Sequence, residues 1–269
     1  MSHRVTLLGT NWKMNKTVSQ AEEYIRVLLN QLGDLNGRAD LQIFVIPPYT
    51  AIQTVKQKSN GKLWVGAQNM HWEHSGPYTG EISAPMLKEL GVDLVELGHA
   101  ERRKYFNETD ASVNRKVHTA LSYGIRALVC VGETLQDKQT GLEKETVGRQ
   151  LETILQGVGP EEAPNLIVAY EPVWAIGEEG STADSEHIRS MSHHIRGVLR
   201  QHWSREPADQ VAIIYGGDVN HGNAREILGK GAVDGLFVGR AAWKAENFAD
   251  LIRNCLQAVT PGEHHEALR

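Results

Sequence analysis

The chain has 269 residues, a formal net charge of −5, 41% hydrophobic residues and 23% charged residues. This length is ordinary for one α/β barrel, and the composition is that of a soluble globular protein with enough apolar side chains for a large core. A slightly acidic chain without basic runs argues against binding to nucleic acid or to an anionic membrane surface.

Eight short apolar runs are predicted to be β-strands. In chain order they span residues 5–9, 41–47, 63–67, 94–98, 127–132, 166–170, 211–215 and 235–239. The runs are nearly continuous rather than alternating, which is typical of strands that are buried on both faces of a parallel sheet.

Helical patterns lie between most of the predicted strands. After the first strand, Thr17 and Gln20 form a capping-box signal ahead of an apolar stripe. Further apolar stripes begin at Val113, Ile188 and Phe248. The alternation of strands and helices predicts a single (β/α)8 barrel over residues 1–259, followed by a polar tail over 260–269. A doubly wound sheet is the alternative, but no G-x-G-x-x-G sequence follows the first strand.

The N-terminus and the cysteines predict a cytoplasmic protein. The first residues, MSHRVTLLGTNWKMN, contain no signal peptide pattern, and no apolar run reaches about 18 residues, so we expect no membrane span. Cys130 and Cys255 each lie in an apolar stretch and are expected to be free, buried thiols. His71 and His74 lack a further ligand nearby, so we expect them to have a loop or interface role and no metal.

Residues that can do chemistry follow several of the predicted strands. They are Asn11 and Lys13 after the first, His99 after the fourth, Glu171 after the sixth, Gly216 and Gly217 after the seventh, and Gly239 and Arg240 after the eighth. A single lysine, histidine or glycine pair at a strand end is common without any function. All of these residues are nevertheless expected on the carboxyl-terminal face of one barrel, where barrel enzymes have their active sites. Their convergence therefore predicts one site.

The set suits proton transfer beside a carbonyl group in a phosphorylated substrate. Glu171 would be the base that removes a carbon-bound proton. His99 would donate a hydrogen bond to the developing enediolate oxygen, and Lys13 would supply a fixed positive charge there. The glycines after the last two strands would bring backbone N–H groups close to a phosphate.

Seven motifs carry a family resemblance. They are NWKMN (11–15), GAQN (66–69), GHAERR (98–103), CVGE (130–133), AYEPVWAIG (169–177), YGG (215–217) and GLFVG (235–239). In this order they resemble the triosephosphate isomerase family from about residue 7 to residue 258. The resemblance implies a TIM barrel, no metal and no organic cofactor. It also implies a homodimer whose third βα loop, around Asn69 to Glu81 with Thr79 at its tip, inserts into the partner.

The resemblance also assigns site roles. It implies that Asn11 and Lys13 contact the substrate, that His99 is the electrophile and that Glu171 is the proton acceptor. Glu101 is expected to pair with Lys13 or Arg102. The phosphate is expected to be held by Gly177, Asp218, Gly239 and Arg240.

Four departures from the family pattern bear on the substrate. The usual GHSERR has Ala100 in place of its serine, and the usual GTGKTA lid reads GEEGSTA. The usual YGGSV carries Asp218, and the usual GGASL carries Arg240. Asp218 and Arg240 could neutralise each other, Arg240 could contact phosphate, or both side chains could point to solvent. These alternatives stay open from the sequence.

The details of the motifs are most similar to the branch of the family that isomerises L-erythrulose 1-phosphate to D-erythrulose 4-phosphate in erythritol or threitol breakdown. That reaction moves a carbonyl by one carbon through an enediol, as triosephosphate isomerisation does. The alternatives are triosephosphate isomerisation itself and, in a different class, a non-catalytic sugar-phosphate-binding protein. We expect the substrate difference to lie in the lid after Gly177.

Overall fold

The strands form one closed parallel barrel. The computed structural model describes residues 5–35, 37–177 and 180–256. The strands are β1 (Thr6–Asn11), β2 (Leu41–Ile46), β3 (Trp64–Ala67), β4 (Leu94–Leu97), β5 (Arg126–Val131), β6 (Leu166–Tyr170), β7 (Ala212–Tyr215) and β8 (Gly235–Val238). They pair in chain order, and β1 also pairs with β8. The predicted (β/α)8 barrel is confirmed, and its closure excludes the doubly wound sheet.

Helices follow the strands around the outside of the barrel. They are α1 (Val18–Leu32), α2 (Ile52–Ser59), α3 (Ala84–Glu89), α4 (Ala100–Phe106), α5 (Asp110–Ser122), α6 (Leu135–Gln139), α7 (Glu143–Leu155), α8 (Ser185–His202), α9 (Arg205–Gln210), α10 (Ala224–Lys230) and α11 (Ala245–Leu256). Short 3₁₀ helices span Gly33–Leu35, Tyr49–Ala51, Pro160–Asn165, Val173–Ala175 and Arg240–Ala242. The predicted capping box of α1 is confirmed, because the side chains of Thr17 and Gln20 each accept from the other's backbone N–H.

The apolar core has two parts. The smaller part fills the inside of the barrel and includes Phe44 and Phe237, whose ring centroids lie 5.6 Å apart. The larger part lies between the strands and the helices. Side chains alternate between these two sides along each strand, so Leu94 and Glu96 of β4 both project into the barrel. A carboxyl group thus stands inside the barrel, beside apolar side chains such as Leu94.

The end of the barrel domain stays a prediction. The last described helix, α11, ends at Leu256, and the predicted tail over 260–269 lies outside the described residues. Among the helices that the structure describes, none combines the length and the apolar character needed to cross a membrane.

Candidate active site

A cavity of about 400 Å³ opens at the carboxyl-terminal end of the barrel. All of the residues predicted to form the site line it: Asn11, Lys13, His99, Glu171, Gly177, Asp218, Gly239 and Arg240. Residues that are far apart in the chain meet here because the carboxyl ends of all eight parallel strands open on the same face. The structure brings the predicted residues together, and their chemical roles stay predictions.

Lys13 is held in place from two directions. Its Nζ forms an ion pair with Oε1 of Glu101 at 2.6 Å, so of the two predicted partners of Glu101 the lysine is the one seen. Its backbone N–H donates to Oδ1 of Asn11 at 2.6 Å. The backbone of Lys13 has a φ of 53°, which is costly for a residue with a β-carbon and which the Asn11 contact stabilises. The ammonium group therefore has a fixed direction at the cavity wall.

His99 caps the first turn of α4. Its Nδ1 accepts a hydrogen bond from the backbone N–H of Glu101 at 3.0 Å. A ring nitrogen that accepts a hydrogen bond carries no proton, so in the neutral imidazole the proton is on Nε2. Nε2 lies 3.9 Å from Oε2 of Glu171 and faces the cavity. The local helix start thus fixes a tautomer that can donate to a substrate oxygen.

Glu171 is the first residue after β6, and its backbone N–H donates to the carbonyl of Val131 at 2.8 Å. Its side chain is only 3% exposed, and Oε2 has no hydrogen-bond partner among the described residues. Gly216 lies against this side chain, since a β-carbon there would be 2.9 Å from Cγ of Glu171. Oε2 is therefore open to a hydrogen-bonding or proton-donating group that enters the cavity.

Asp218 and Arg240 do not pair with each other. Arg240 Nη2 donates to the carbonyl oxygen of Gly177 at 2.7 Å, and Asp218 Oδ2 accepts from Thr182 Oγ1 at 2.9 Å and from Asn220 Nδ2 at 3.1 Å. The described chain contains no hydrogen bond or ion pair that joins the two. The two side chains therefore form no direct pair in the part of the chain that the structure describes, and a contact of Arg240 with phosphate stays a prediction. Each residue instead contacts one end of the predicted lid.

The hinge of the predicted lid, which follows Glu171, is held by hydrogen bonds. Residues Val173–Ala175 form a 3₁₀ turn, and the indole Nε1 of Trp174 donates to Oε1 of the buried Glu133 at 2.6 Å. The hydroxyl of Tyr170 also donates to Glu133, at 3.1 Å. Ser181 N–H donates to the carbonyl of Trp174 at 3.1 Å, which closes the loop on its hinge. Glu178 and Glu179, where we expect the substrate difference, lie outside the described residues.

The third loop is anchored by buried polar contacts. The backbone carbonyl of Asn69 accepts a hydrogen bond from the hydroxyl of Tyr49 at 2.5 Å. Its side-chain Oδ1 accepts another from Nζ of Lys116 at 2.9 Å. His71 stacks on Trp72 with ring centroids 4.2 Å apart, and its Nδ1 accepts from a backbone N–H. His74 Nδ1 lies 2.9 Å from the hydroxyl of Tyr123. The expected loop role of the two histidines is confirmed.

Sequence reasoning missed Glu96 as part of the site. This carboxyl group is fully buried below the cavity floor, and Asn11 Nδ2 donates to its Oε2 at 2.5 Å. Burial first, and the nearby Glu171 second, raise the pKa of Glu96 well above its usual range. The sequence did contain a signal for it, because Glu96 interrupts the apolar run that forms β4. One atom each of Glu96, His99 and Glu171 lies within 4.8 Å of the others, so the three side chains form one buried cluster.

Comparison with known proteins identifies the family. The family model described as Triosephosphate isomerase matches residues 6–255. The chain is 42% identical to an L-erythrulose-1-phosphate isomerase of Mesorhizobium japonicum over 254 residues, which cover 94% of this chain and 98% of the relative. It is 43% identical to an L-erythrulose-1-phosphate isomerase of Rhizobium etli, with 95% and 94% covered. It is 41% identical to a triosephosphate isomerase of Acetivibrio thermocellus, with 94% and 99% covered. The chain therefore belongs to the triosephosphate isomerase family.

Proposed function

We propose that this protein is a ketose-phosphate isomerase that converts L-erythrulose 1-phosphate to D-erythrulose 4-phosphate through an enediolate. The observation that carries the proposal is the unpartnered Oε2 of the buried Glu171, 3.9 Å from Nε2 of His99 at one wall of the cavity. A base and a hydrogen-bond donor at this separation can act on the two adjacent carbons of one substrate.

Glu171 starts the reaction by removing the proton from C3 of L-erythrulose 1-phosphate. The electron pair of the broken C–H bond forms the C2–C3 double bond, and the C2 carbonyl oxygen becomes an enediolate oxygen. The C2 oxygen takes up the Nε2 proton of His99, and the C3 hydroxyl returns a proton to Nε2. Glu171 then delivers the carbon-bound proton to C2, so that the carbonyl group appears at C3. Counted from the other end, the product is D-erythrulose 4-phosphate, and no electron leaves the substrate.

His99 and Lys13 stabilise the intermediate. The Nε2 proton of His99 is directed into the cavity, where it can donate to the oxygens on C2 and C3 in turn. The Lys13 ammonium adds a positive charge that partly offsets the enediolate charge, while Glu101 holds that ammonium in place. Because both groups are fixed before the substrate arrives, little rearrangement is needed in the transition state.

The phosphate end of the substrate is proposed to lie where Gly177, Asp218, Gly239 and Arg240 line the cavity. A β-carbon built at Gly239 meets no atom within 4 Å, so a phosphate can approach the backbone there. Arg240 supplies a cation at this end of the cavity. The lid then covers the phosphate and excludes water.

The second candidate is triosephosphate isomerisation, which is favoured by a relative of that name at 41% identity. The two substrates differ at the carbon that loses its proton, where the four-carbon sugar carries a hydroxymethyl group in place of a hydrogen. The four-carbon substrate is supported by the relatives named L-erythrulose-1-phosphate isomerase. It is also supported by Arg240, which connects the loop after β8 to the predicted lid through its hydrogen bond to the carbonyl of Gly177.

The test gives purified enzyme dihydroxyacetone phosphate and L-erythrulose 1-phosphate in parallel. We expect the higher kcat/KM on the four-carbon sugar, and a higher value on the triose would replace the proposal with the second candidate. Glu171→Gln should lower kcat by about 100-fold or more and stop exchange of the substrate C–H with solvent deuterium. Binding of both sugars without turnover by the wild type would instead favour a sugar-phosphate-binding protein.

A homodimer through the loop from Asn69 to Glu81 is part of the proposal, as are a cytoplasmic location and a role in erythritol or threitol breakdown. Gln68 lies just before this loop, and its Nε2 donates to the backbone carbonyl of Lys13 at 2.8 Å. Met14, which follows Lys13 in the chain, is 96% exposed. A partner that covered Met14 would therefore also steady Lys13. Light scattering should give twice the chain mass, and a monomer would contradict this assembly.

A further inference from the structure

Glu96 is a fully buried acid with few partners. It projects from β4 into the barrel, one layer below the cavity, and its side chain does not line the cavity wall. Oε2 accepts from Asn11 Nδ2 at 2.5 Å, and Oε1 lies 3.8 Å from Sγ of Cys130. No described residue forms an ion pair with it. An isolated carboxylate in such a place is costly, so the group needs another way to be stable.

The surroundings of Glu96 favour its neutral form. The titratable groups that face it are Glu171, Lys13, Glu101 and Cys130, with His99 also close. Burial is the main cause that raises the pKa of Glu96, and Glu171 raises it further, while Lys13 opposes them only in part. One oxygen of Glu96 lies within 4.8 Å of one oxygen of Glu171. Two carboxylates this close in a dry space do not both ionise.

Asn11 connects Glu96 to the catalytic lysine. Its Oδ1 accepts from the backbone N–H of Lys13, so its Nδ2 must be the end that faces Glu96. The amide therefore has one permitted orientation, fixed by a donor on one side and an acceptor on the other. Lys13 has a φ of 53°, and its contact with Asn11 holds that unusual backbone. Removing the acceptor at Glu96 frees the amide to turn.

We propose that Glu96 is a positioning residue of this site: as a neutral carboxylic acid it fixes Asn11, and through Asn11 the backbone of Lys13. The role for Lys13 rests on the proposed function. The protonation state of Glu96 does not, and it can be measured without any substrate.

Two variants separate the parts of the proposal. Glu96→Gln keeps an oxygen for Asn11 Nδ2 and is neutral at every pH, so we expect kcat/KM within about threefold of the wild type and an unchanged acid limb of its pH profile. Glu96→Met fills the barrel but has no oxygen, so we expect kcat to fall about 10- to 100-fold while KM changes little. Circular dichroism and thermal unfolding check that both variants fold.

Infrared spectroscopy tests the neutral acid directly. At neutral pH the wild type should show the C=O stretch of a protonated carboxyl group, which Glu96→Gln should lack and Glu171→Gln should keep. Wild-type activity in Glu96→Met would overturn the positioning role. An equal loss of activity in Glu96→Gln, or no difference between its infrared spectrum and that of the wild type, would overturn the neutral acid. A wild type that is inactive on both sugars would contradict the proposed function, but the infrared measurement would still test whether Glu96 is protonated.

Discussion

A methyl group added at Gly216 tests whether Glu171 needs the position that the fold gives it. Gly216 follows β7, and its N–H donates to the carbonyl of Tyr170 at 2.9 Å, which holds it beside the end of β6. A β-carbon built on Gly216 lies 2.9 Å from Cγ and 3.1 Å from Oε1 of Glu171. The backbone of Gly216 is not in the left-handed region, so alanine is unfavourable there only because of this contact.

The size of the effect follows from the overlap. Non-bonded carbon atoms sit about 3.5–4.0 Å apart, so Cγ of Glu171 must move by about 0.6–1.1 Å from its 2.9 Å contact. A misplacement of about 1 Å at a reacting group can cost about 100-fold in rate. We therefore expect Gly216→Ala to lower kcat/KM by about 30- to 100-fold, which is about 2–2.7 kcal/mol of transition-state stabilisation.

The assay is steady-state kinetics on the better of the two ketose phosphates, with unfolding followed in parallel. Gly229→Ala in α10 is the matched control, because its built β-carbon meets no atom within 4 Å outside its own helix. We expect the control to keep full activity and a slightly higher Tm. A folded Gly216→Ala enzyme with kcat/KM within about twofold of the wild type would refute the claim that this packing positions the base.

Three further changes test other parts of the molecule. Trp174→Phe removes the 2.6 Å donor to Glu133, so the free energy of unfolding should fall by about 1–3 kcal/mol, and an unchanged denaturation curve would contradict the hinge contact. Arg240→Gly removes the 2.7 Å contact with the carbonyl of Gly177, so KM should rise about 3- to 10-fold while Tm stays within a few degrees. A KM equal to that of the wild type would show that this contact does not contribute to substrate binding. The raised pKa of Glu96 means that the folded chain holds a proton that the unfolded chain releases above its ordinary value of 4.5. This contribution to stability is complete below that value and is lost as the pH rises through the folded-state pKa. Urea titrations should therefore show, as the pH rises above 4.5, a steeper loss of stability in the wild type than in Glu96→Gln.

The barrel could be predicted from the sequence because each of its elements carries a local signal. Buried parallel strands appear as apolar runs, such as LIVAY, which forms β6 over the same residues. Helix starts appear as capping residues, such as Thr17 before α1. Once eight strand–helix units are counted, the fold rule that chemistry lies at the carboxyl ends of the strands selects Lys13, His99 and Glu171.

The contacts of Asp218 and Arg240 could not be predicted in this way. Each contacts the lid, 36 residues away for Thr182 and 63 residues away for Gly177, and no local pattern encodes a meeting at that distance. Their opposite charges suggested a pair because charge was the only property visible in the sequence. The structure adds the orientation of each side chain: Asp218 contacts Thr182 and Arg240 contacts Gly177, at opposite ends of the predicted lid.

Three buried glutamates at neighbouring strands show what separates a reactive acid from a structural one. Glu96 on β4, Glu133 after β5 and Glu171 after β6 are 0%, 0% and 3% exposed, so burial alone does not separate them. Glu133 accepts from the indole of Trp174 and the hydroxyl of Tyr170, and Glu96 accepts from an amide. Glu171 keeps an oxygen without a donor in the described structure, beside the imidazole and facing the cavity. A buried acceptor gains most from the first donor that reaches it. Of the three carboxyl groups, we therefore expect Glu171 to be the one that takes the C–H proton in the proposed reaction.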